Sequence, residues 1–270
     1  MLKFYISLLM MISIFTHASE SFIPDESFKK KVELLLPQSH VKAFSYSKTK
    51  FGFITIGVVT QQFKKEVYYT DIDASFLMRG LLVDTESGEM LSQRHTNEIE
   101  LDLTDMANDW ESAKGVSQGQ GDDVIYVLVD ANCGYCHKTY TDMQAALKSS
   151  SNNVRVKWIP LAMLGNDSFE KAHVLTSQND DIESLELLDQ FMKRQGDVSQ
   201  MPVTPVGKEA LHNNQLLSKK YGFNGVPIVI SRINDNWELH NGYPGPKFFE
   251  QLKSENVASI MVKETDSGGN

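Results

Sequence analysis

The chain has 270 residues, 41% of them hydrophobic, and a formal charge of −9. That length suits one large domain or two small ones with real cores, and the acidic balance argues against nucleic acid as a partner. Two cysteines are too few for a disulfide framework, so if they pair they pair with each other.

In chain order, the first signal is for export. Lys3 gives a positive start, Phe4 to Phe15 is apolar apart from Ser7 and Ser13, and Thr16-His17-Ala18 offers a cleavage site. About 12 apolar residues fall short of the roughly 20 that span a bilayer, so residues 1–18 read as a cleaved signal peptide. The expected destination is an oxidising space, most simply a periplasm. Residues 19–93 read as a small α+β domain. A helix from Glu26 to Leu35 is stopped by Pro37. Strands Val41–Ser47, Phe53–Thr60, Glu66–Asp71 and Ser75–Val83 follow, the last two joined by a turn at Asp71-Ile72-Asp73. Residues 94–121 read as a linker. In it Leu103, Met106, Trp110 and Ala113 recur at helical spacing with Thr104 as N-cap, and the glycines from Gly115 to Gly121 predict a flexible end.

Residues 122–263 read as β-α-β, then helical, then β-β-α. Strand Val124–Val129 leads into a helix over Cys133–Lys148, and strand Val154–Ile159 ends at Pro160. Helices are expected near 168–177, 182–195 and 207–221, with Gly222 as a stop. Pro227–Ser231 and Trp237–His240 form a closing hairpin, and a last helix begins at Pro246. This order predicts a thioredoxin fold with a helical insertion between its halves. The polar tail 264–270 is expected to be disordered.

The chemistry concentrates at Cys133-Gly134-Tyr135-Cys136, a Cys-x-x-Cys that ends a buried strand and opens a helix. At a helix N-terminus, free N–H groups and the macrodipole favour an anion, which lowers a thiol pKa. Cys133 is thus the candidate attacking thiolate. Cys136, one turn on and more buried, is the candidate resolving thiol. Gly134 and Tyr135 let the next turn approach. His137 could stabilise the thiolate as a cation. The same residue completes Cys133-x-x-Cys136-His137, the attachment pattern of c-type haem, which stands as a remote alternative. Two cysteines and one histidine are too few for a closed metal site within the chain, and no cofactor is expected. Asp130 reads as a helix cap or a proton acceptor, and Val127 stands where thioredoxins carry a buried acid. Pro227, about 90 residues after the dithiol, is costly at a strand start unless special. It reads as a cis-proline that leaves the Val226 backbone free to pair with a substrate strand.

Asp130-Ala131-Asn132-Cys133-Gly134-Tyr135-Cys136-His137-Lys138 resembles the active-site segment of the periplasmic disulfide isomerases DsbC and DsbG. Tyr69-Thr70-Asp71 through Arg79-Gly80 and Asp84 is similar to their dimerisation-domain hairpin, and Gly242-Tyr243-Pro244-Gly245-Pro246 to the segment entering their last helix. The resemblance implies a cystatin-like dimerisation domain over 19–93, a linker helix, and a homodimer whose two thioredoxin-like domains face a cleft for misfolded or oxidised proteins. It also implies a membrane reductase of the DsbD type that keeps the cysteines reduced. Carried onto this chain it makes Cys133 the nucleophile, Cys136 the resolver and Val226-Pro227 the cis-proline loop. Two departures stand out. Val226 replaces the usual Thr before the proline, and the second cysteine pair of DsbC is absent. The expected activity is isomerisation or reduction of disulfides in exported proteins, at a potential between about −270 and −120 mV. Reduction of sulfenylated cysteines, or chaperone action alone, are the alternatives.

Overall fold

Apolar β-branched runs become strands and helix-period runs become helices in both parts of the chain. A computed structural model describes residues 20–253 apart from 38, 40, 150–152, 197, 199, 200 and 234. The expected signal peptide (1–18) and disordered tail (264–270) lie outside the described residues. The chain divides into two units between Ile99 and Glu100.

The first unit comprises β1 (Glu20–Ser21), α1 (Glu26–Leu35), β2 (Val41–Lys48), β3 (Ile54–Thr60), β4 (Lys65–Thr70) and α2 (Leu91–Glu98). Its antiparallel sheet runs β1-β2-β3-β4. The Asp25 carboxylate caps α1 by accepting the Phe28 N–H at 2.7 Å. Phe28 and Val32, one turn apart, then pack with Ile54, Ile56 and Val58 of the central strand. Ser75–Val83 is not the strand its residues suggest. Asp71 accepts the Ser75 N–H at 2.8 Å and Ala74 is left-handed (φ 49°), so the chain turns instead of extending. Within that stretch Met78 pairs with Tyr69, and Val83 bridges Met90. Helix α2 escapes sequence reading because only Leu91, Ser92 and His95 of its polar run are buried.

The second unit contains α3 (Thr104–Ser112), β5 (Val116–Gln118), β6 (Asp123–Val129), α4 (Gly134–Ser149), β7 (Val154–Pro160), α5 (Asn166–Ser177), α6 (Asp181–Met192), α7 (Pro205–Lys220), β8 (Ile228–Ile233), β9 (Asn236–Asn241) and α8 (246–253). Its sheet order is β5-β7-β6-β8-β9, with β6 and β7 parallel and every other pair antiparallel. The pleat sorts the side chains of β6 to two faces. Ile125, Val127 and Val129 join a core with Tyr140 and Met143 of α4, Leu188 and Phe191 of α6, and Phe248 and Phe249 of α8. Tyr126 points the other way and donates to Glu111 of α3 at 2.9 Å.

Three details of the 94–121 stretch differ from expectation. Thr104 is the first helical residue rather than the cap, and its N–H donates to Asp102 at 2.9 Å. Helix α3 is also anchored within the second unit. Trp110 is fully buried and stacks on Phe223, Glu111 pairs with Arg155, and Asp109 accepts from Tyr221. The glycines beyond it serve close approach, not flexibility. Strand β5 lies against β7, and a Cβ would sit 2.5 Å from the Trp158 carbonyl oxygen at Gly115 and 2.0 Å from the Asn153 carbonyl at Gly121.

Candidate active site

Strand β6 delivers the site. Its apolar run ends at Val129, and the carbonyl of Asp130 then accepts the Cys133 N–H at 3.0 Å. Helix α4 begins at Gly134, so Cys133 stands just before the first helical residue, where N–H groups lack intrahelical acceptors. One of these, the Cys136 N–H, points at Cys133 Sγ at 3.4 Å. On its other side the Cys133 thiol donates to the Val226 carbonyl, also at 3.4 Å. The Val226–Pro227 peptide bond is cis. Thus the two segments expected to meet, about 90 residues apart, do meet.

The two sulfurs are differently placed. Cys133 is 9% exposed and Cys136 is wholly buried. Cys133 is pulled down to about 6, first by the hydrogen bond from Cys136 and then by the N–H groups of Cys136 and Tyr135, against the opposing effects of burial and the negative charge of Asp130. The Cys136 thiol is pushed far up, chiefly by burial and then by its bond to Cys133. At neutral pH the pair therefore holds one thiolate and one thiol, with the charge on the outer sulfur. Tyr135 is exposed between them, and a Cβ at Gly134 would meet nothing within 4 Å, so neither residue blocks approach.

Asp130 does not cap α4. It is fully buried, and its carboxyl oxygens accept four bonds. These come from the N–H groups of Asn132 (2.8 Å), Met163 (2.6 Å) and Leu164 (3.1 Å) and from the Ser168 hydroxyl (2.8 Å). It ties the loop before the dithiol to the loop after β7 and to α5. Sequence inspection has no signal for this, because three of the four donors lie more than 30 residues away. Asn132 strengthens the tie by donating to Asp167 at 2.7 Å and accepting from Lys171 at 2.8 Å.

His137 is not placed as a cation beside Cys133. Its Nε2 lies 2.7 Å from the Ala131 carbonyl, and its Nδ1 accepts from Arg194 Nε at 3.1 Å. With Nδ1 accepting from Arg194, Nε2 is left to donate to the Ala131 carbonyl. The surroundings also do not fit haem attachment, which needs two accessible sulfurs and a free imidazole nitrogen, whereas Cys136 is buried and both ring nitrogens are engaged. The expected result is that His137→Gln leaves the titration of Cys133 in place. Thiolate absorbance or iodoacetamide rate against pH should show a midpoint near 6 in both proteins. The rate should rise through that pH and level off above it, while the unfolded chain should titrate near ~8.5. A midpoint that moves upward in the variant would restore the cationic role.

No family model matches the chain. Among curated proteins it is 35% identical over 88 residues to the probable thiol:disulfide interchange protein DsbC of Bordetella avium, a match covering 30% of this chain and 28% of that protein. The chain therefore spans less than a third of the length of the curated relative it matches. Among solved structures, Proteus mirabilis ScsC in a transitional conformation shares 19% identity with a TM-score of 0.49, over 62% of this chain and 85% of that one. A periplasmic thioredoxin-like protein from Salmonella enterica serovar Typhimurium shares 18% identity with a TM-score of 0.49, over 59% of this chain and 99% of that one. In sequence, then, the chain is similar to the DsbC-like thiol-disulfide interchange family, the one that its residues around Cys133 resemble.

Proposed function

We propose that this protein is an exported thiol-disulfide oxidoreductase that reshuffles or reduces disulfides in other periplasmic proteins. Cys133 is the nucleophile and Cys136 the resolving thiol. The carrying observation is the unequal pair of sulfurs, one ionised near pH 6 and one buried and protonated. The Cys133 thiolate attacks a substrate disulfide, forms a mixed disulfide and releases the other substrate sulfur as a thiolate. Forming that bond discharges Cys133, which removes its contribution to the raised pKa of Cys136. Burial, the larger cause, remains. Resolution by Cys136 is therefore slow, and the mixed disulfide persists long enough for a second substrate thiol to displace the enzyme. Such waiting favours isomerisation over simple reduction.

Two further elements belong to this reading. The first unit exposes Ile72, Phe76, Met78, Leu81 and Val83 along one short stretch, more apolar surface than scattered solvent-facing residues need, which supports a homodimer formed through residues 19–93. Residues 94–121 would join that dimerisation domain to the catalytic one. A membrane reductase of the DsbD type would supply the electrons that keep Cys133 reduced. Among the described residues no helix is long and apolar enough to cross a membrane.

The reduced full chain is expected to restore activity to scrambled ribonuclease at a stoichiometric dose, without added thiol. Reduction of the scrambled enzyme without recovery of activity would replace isomerase by reductase. Failure to exchange any disulfide would end the oxidoreductase reading, and suppression of aggregation alone would then favour a chaperone.

A further inference from the structure

Beside the dithiol lies a pocket of about 230 Å³ lined by Ala131, Asn132, His137, Lys171, Arg194 and the Gln195-Gly196 turn. Proteins that bind whole small molecules use larger cavities, so this one has room for a single side chain. Its polar walls carry two cations on a chain whose formal charge is −9. Lys171 shares its charge with Asp167 at 2.6 Å and donates to Asn132. Arg194 is different. Its Nε donates to His137, and among the described residues no carboxylate bonds it. Among the described residues its two terminal nitrogens carry no carboxylate, and they form a fork suited to a planar anion.

The backbone sets Arg194 there at some cost. After α6 the Gln195 N–H reaches the Gln190 carbonyl at 2.8 Å and the Arg194 N–H reaches Phe191 at 3.0 Å, a Schellman ending. Arg194 takes its left-handed position (φ 58°), where glycine is the usual occupant. The turn thereby fixes the direction in which the Arg194 side chain leaves the helix end, toward the pocket that it lines.

We infer that this pocket is a specificity subsite for an acidic side chain of the substrate polypeptide, held by Arg194 and Lys171 within a residue or two of the cysteine under attack. Its wall includes Asn132, the residue before Cys133, and His137, whose N–H bonds the Cys133 carbonyl at 3.0 Å. Residues on both sides of Cys133 in the chain thus line the pocket, which suits it to a neighbour of the substrate cysteine. The inference rests on the oxidoreductase reading above and adds to it a preference among substrates.

The test uses three short peptides, each disulfide-linked to a fluorescent leaving group, with Glu, Gln or Lys two residues from the cysteine. With the reduced full chain at low salt, the Glu peptide should be cleaved about three- to tenfold faster in kcat/KM than the Gln peptide, and the Lys peptide slowest, as expected for a partly solvated charge pair. Raising the salt to about 0.5 M should compress the difference. In Arg194→Gln the preference for the Glu peptide should shrink to what Lys171, already paired with Asp167, sustains alone. Arg194→Gly, which suits the turn, guards against misfolding and should give the same loss of selectivity. Equal rates for all three peptides in the unaltered protein, with exchange otherwise brisk, would overturn the subsite and leave the oxidoreductase standing. Cleavage of none of them would overturn both.

Discussion

Cys133→Ala is expected to abolish disulfide exchange, with a loss of about three orders of magnitude or more, because no second thiolate can take its place. The other thiol in the chain, Cys136, has no exposed surface, and burial holds its proton. Cys136→Ala should behave differently. Attack by Cys133 should persist, and its product should accumulate as a covalent adduct with the substrate. Removing the Cys136 thiol also removes the leading cause of the low Cys133 pKa, so the thiolate titration should move up from about 6 in that variant. At a pH of about 6 to 7 the first step should slow in proportion to the lost thiolate, and at about pH 9 it should not. Single-turnover exchange with a model disulfide, followed by non-reducing electrophoresis, reads both effects. A Cys133→Ala protein that still reshuffles disulfides would remove the proposed mechanism, and so would a Cys136→Ala protein that forms no adduct with a model disulfide lacking a second thiol.

Asp130→Ala is expected to cost about 3–5 kcal/mol of stability in the second unit. Four donors lose their acceptor, and each buried unsatisfied group costs about 1–3 kcal/mol before water or relaxation recovers part of it. Asp130→Asn preserves the shape but turns an NH2 group toward N–H donors, so it should recover only part of the loss. Urea unfolding of the full chain, followed by tryptophan fluorescence, measures this. A loss under about 1 kcal/mol for Asp130→Ala would show that the loops are held by something else. The same variants separate structure from chemistry. The negative charge of Asp130 opposes ionisation of Cys133, so the Asn variant should lower the Cys133 midpoint below about 6 as long as the loop stays in place. A midpoint that rises would mean that Asp130 acts mainly by positioning the N–H groups around the sulfur.

Much of this was legible in the residues alone. The run Val124–Val129 is apolar and β-branched because both faces of β6 are covered, and the hydrophobic spacing along α4, α6 and α7 reports which side of each helix is buried. A dithiol at a strand-to-helix junction is also a local pattern, and helix-start electrostatics follow from position alone. So the element order from β6 onward and the identity of the candidate thiols come from near neighbours in sequence, whereas the special proline is read from its place about 90 residues after the dithiol in the expected fold.

What tertiary structure decided is every feature whose partners are distant. Asp130 reads as an N-cap because local residues offer nothing else, yet its acceptor role is filled by Met163, Leu164 and Ser168. His137 reads as a cation until Arg194, 57 residues on, takes its Nδ1. Gly115, Gly119 and Gly121 read as a flexible end, but each faces the backbone at or beside β7, and close approach to another strand leaves no mark in the glycines' own neighbourhood. Periodicity and turn chemistry act over a few residues and are written along the chain. Hydrogen bonds that satisfy a buried carboxyl, and pockets formed by three separate segments, exist only once those segments are brought together by the core.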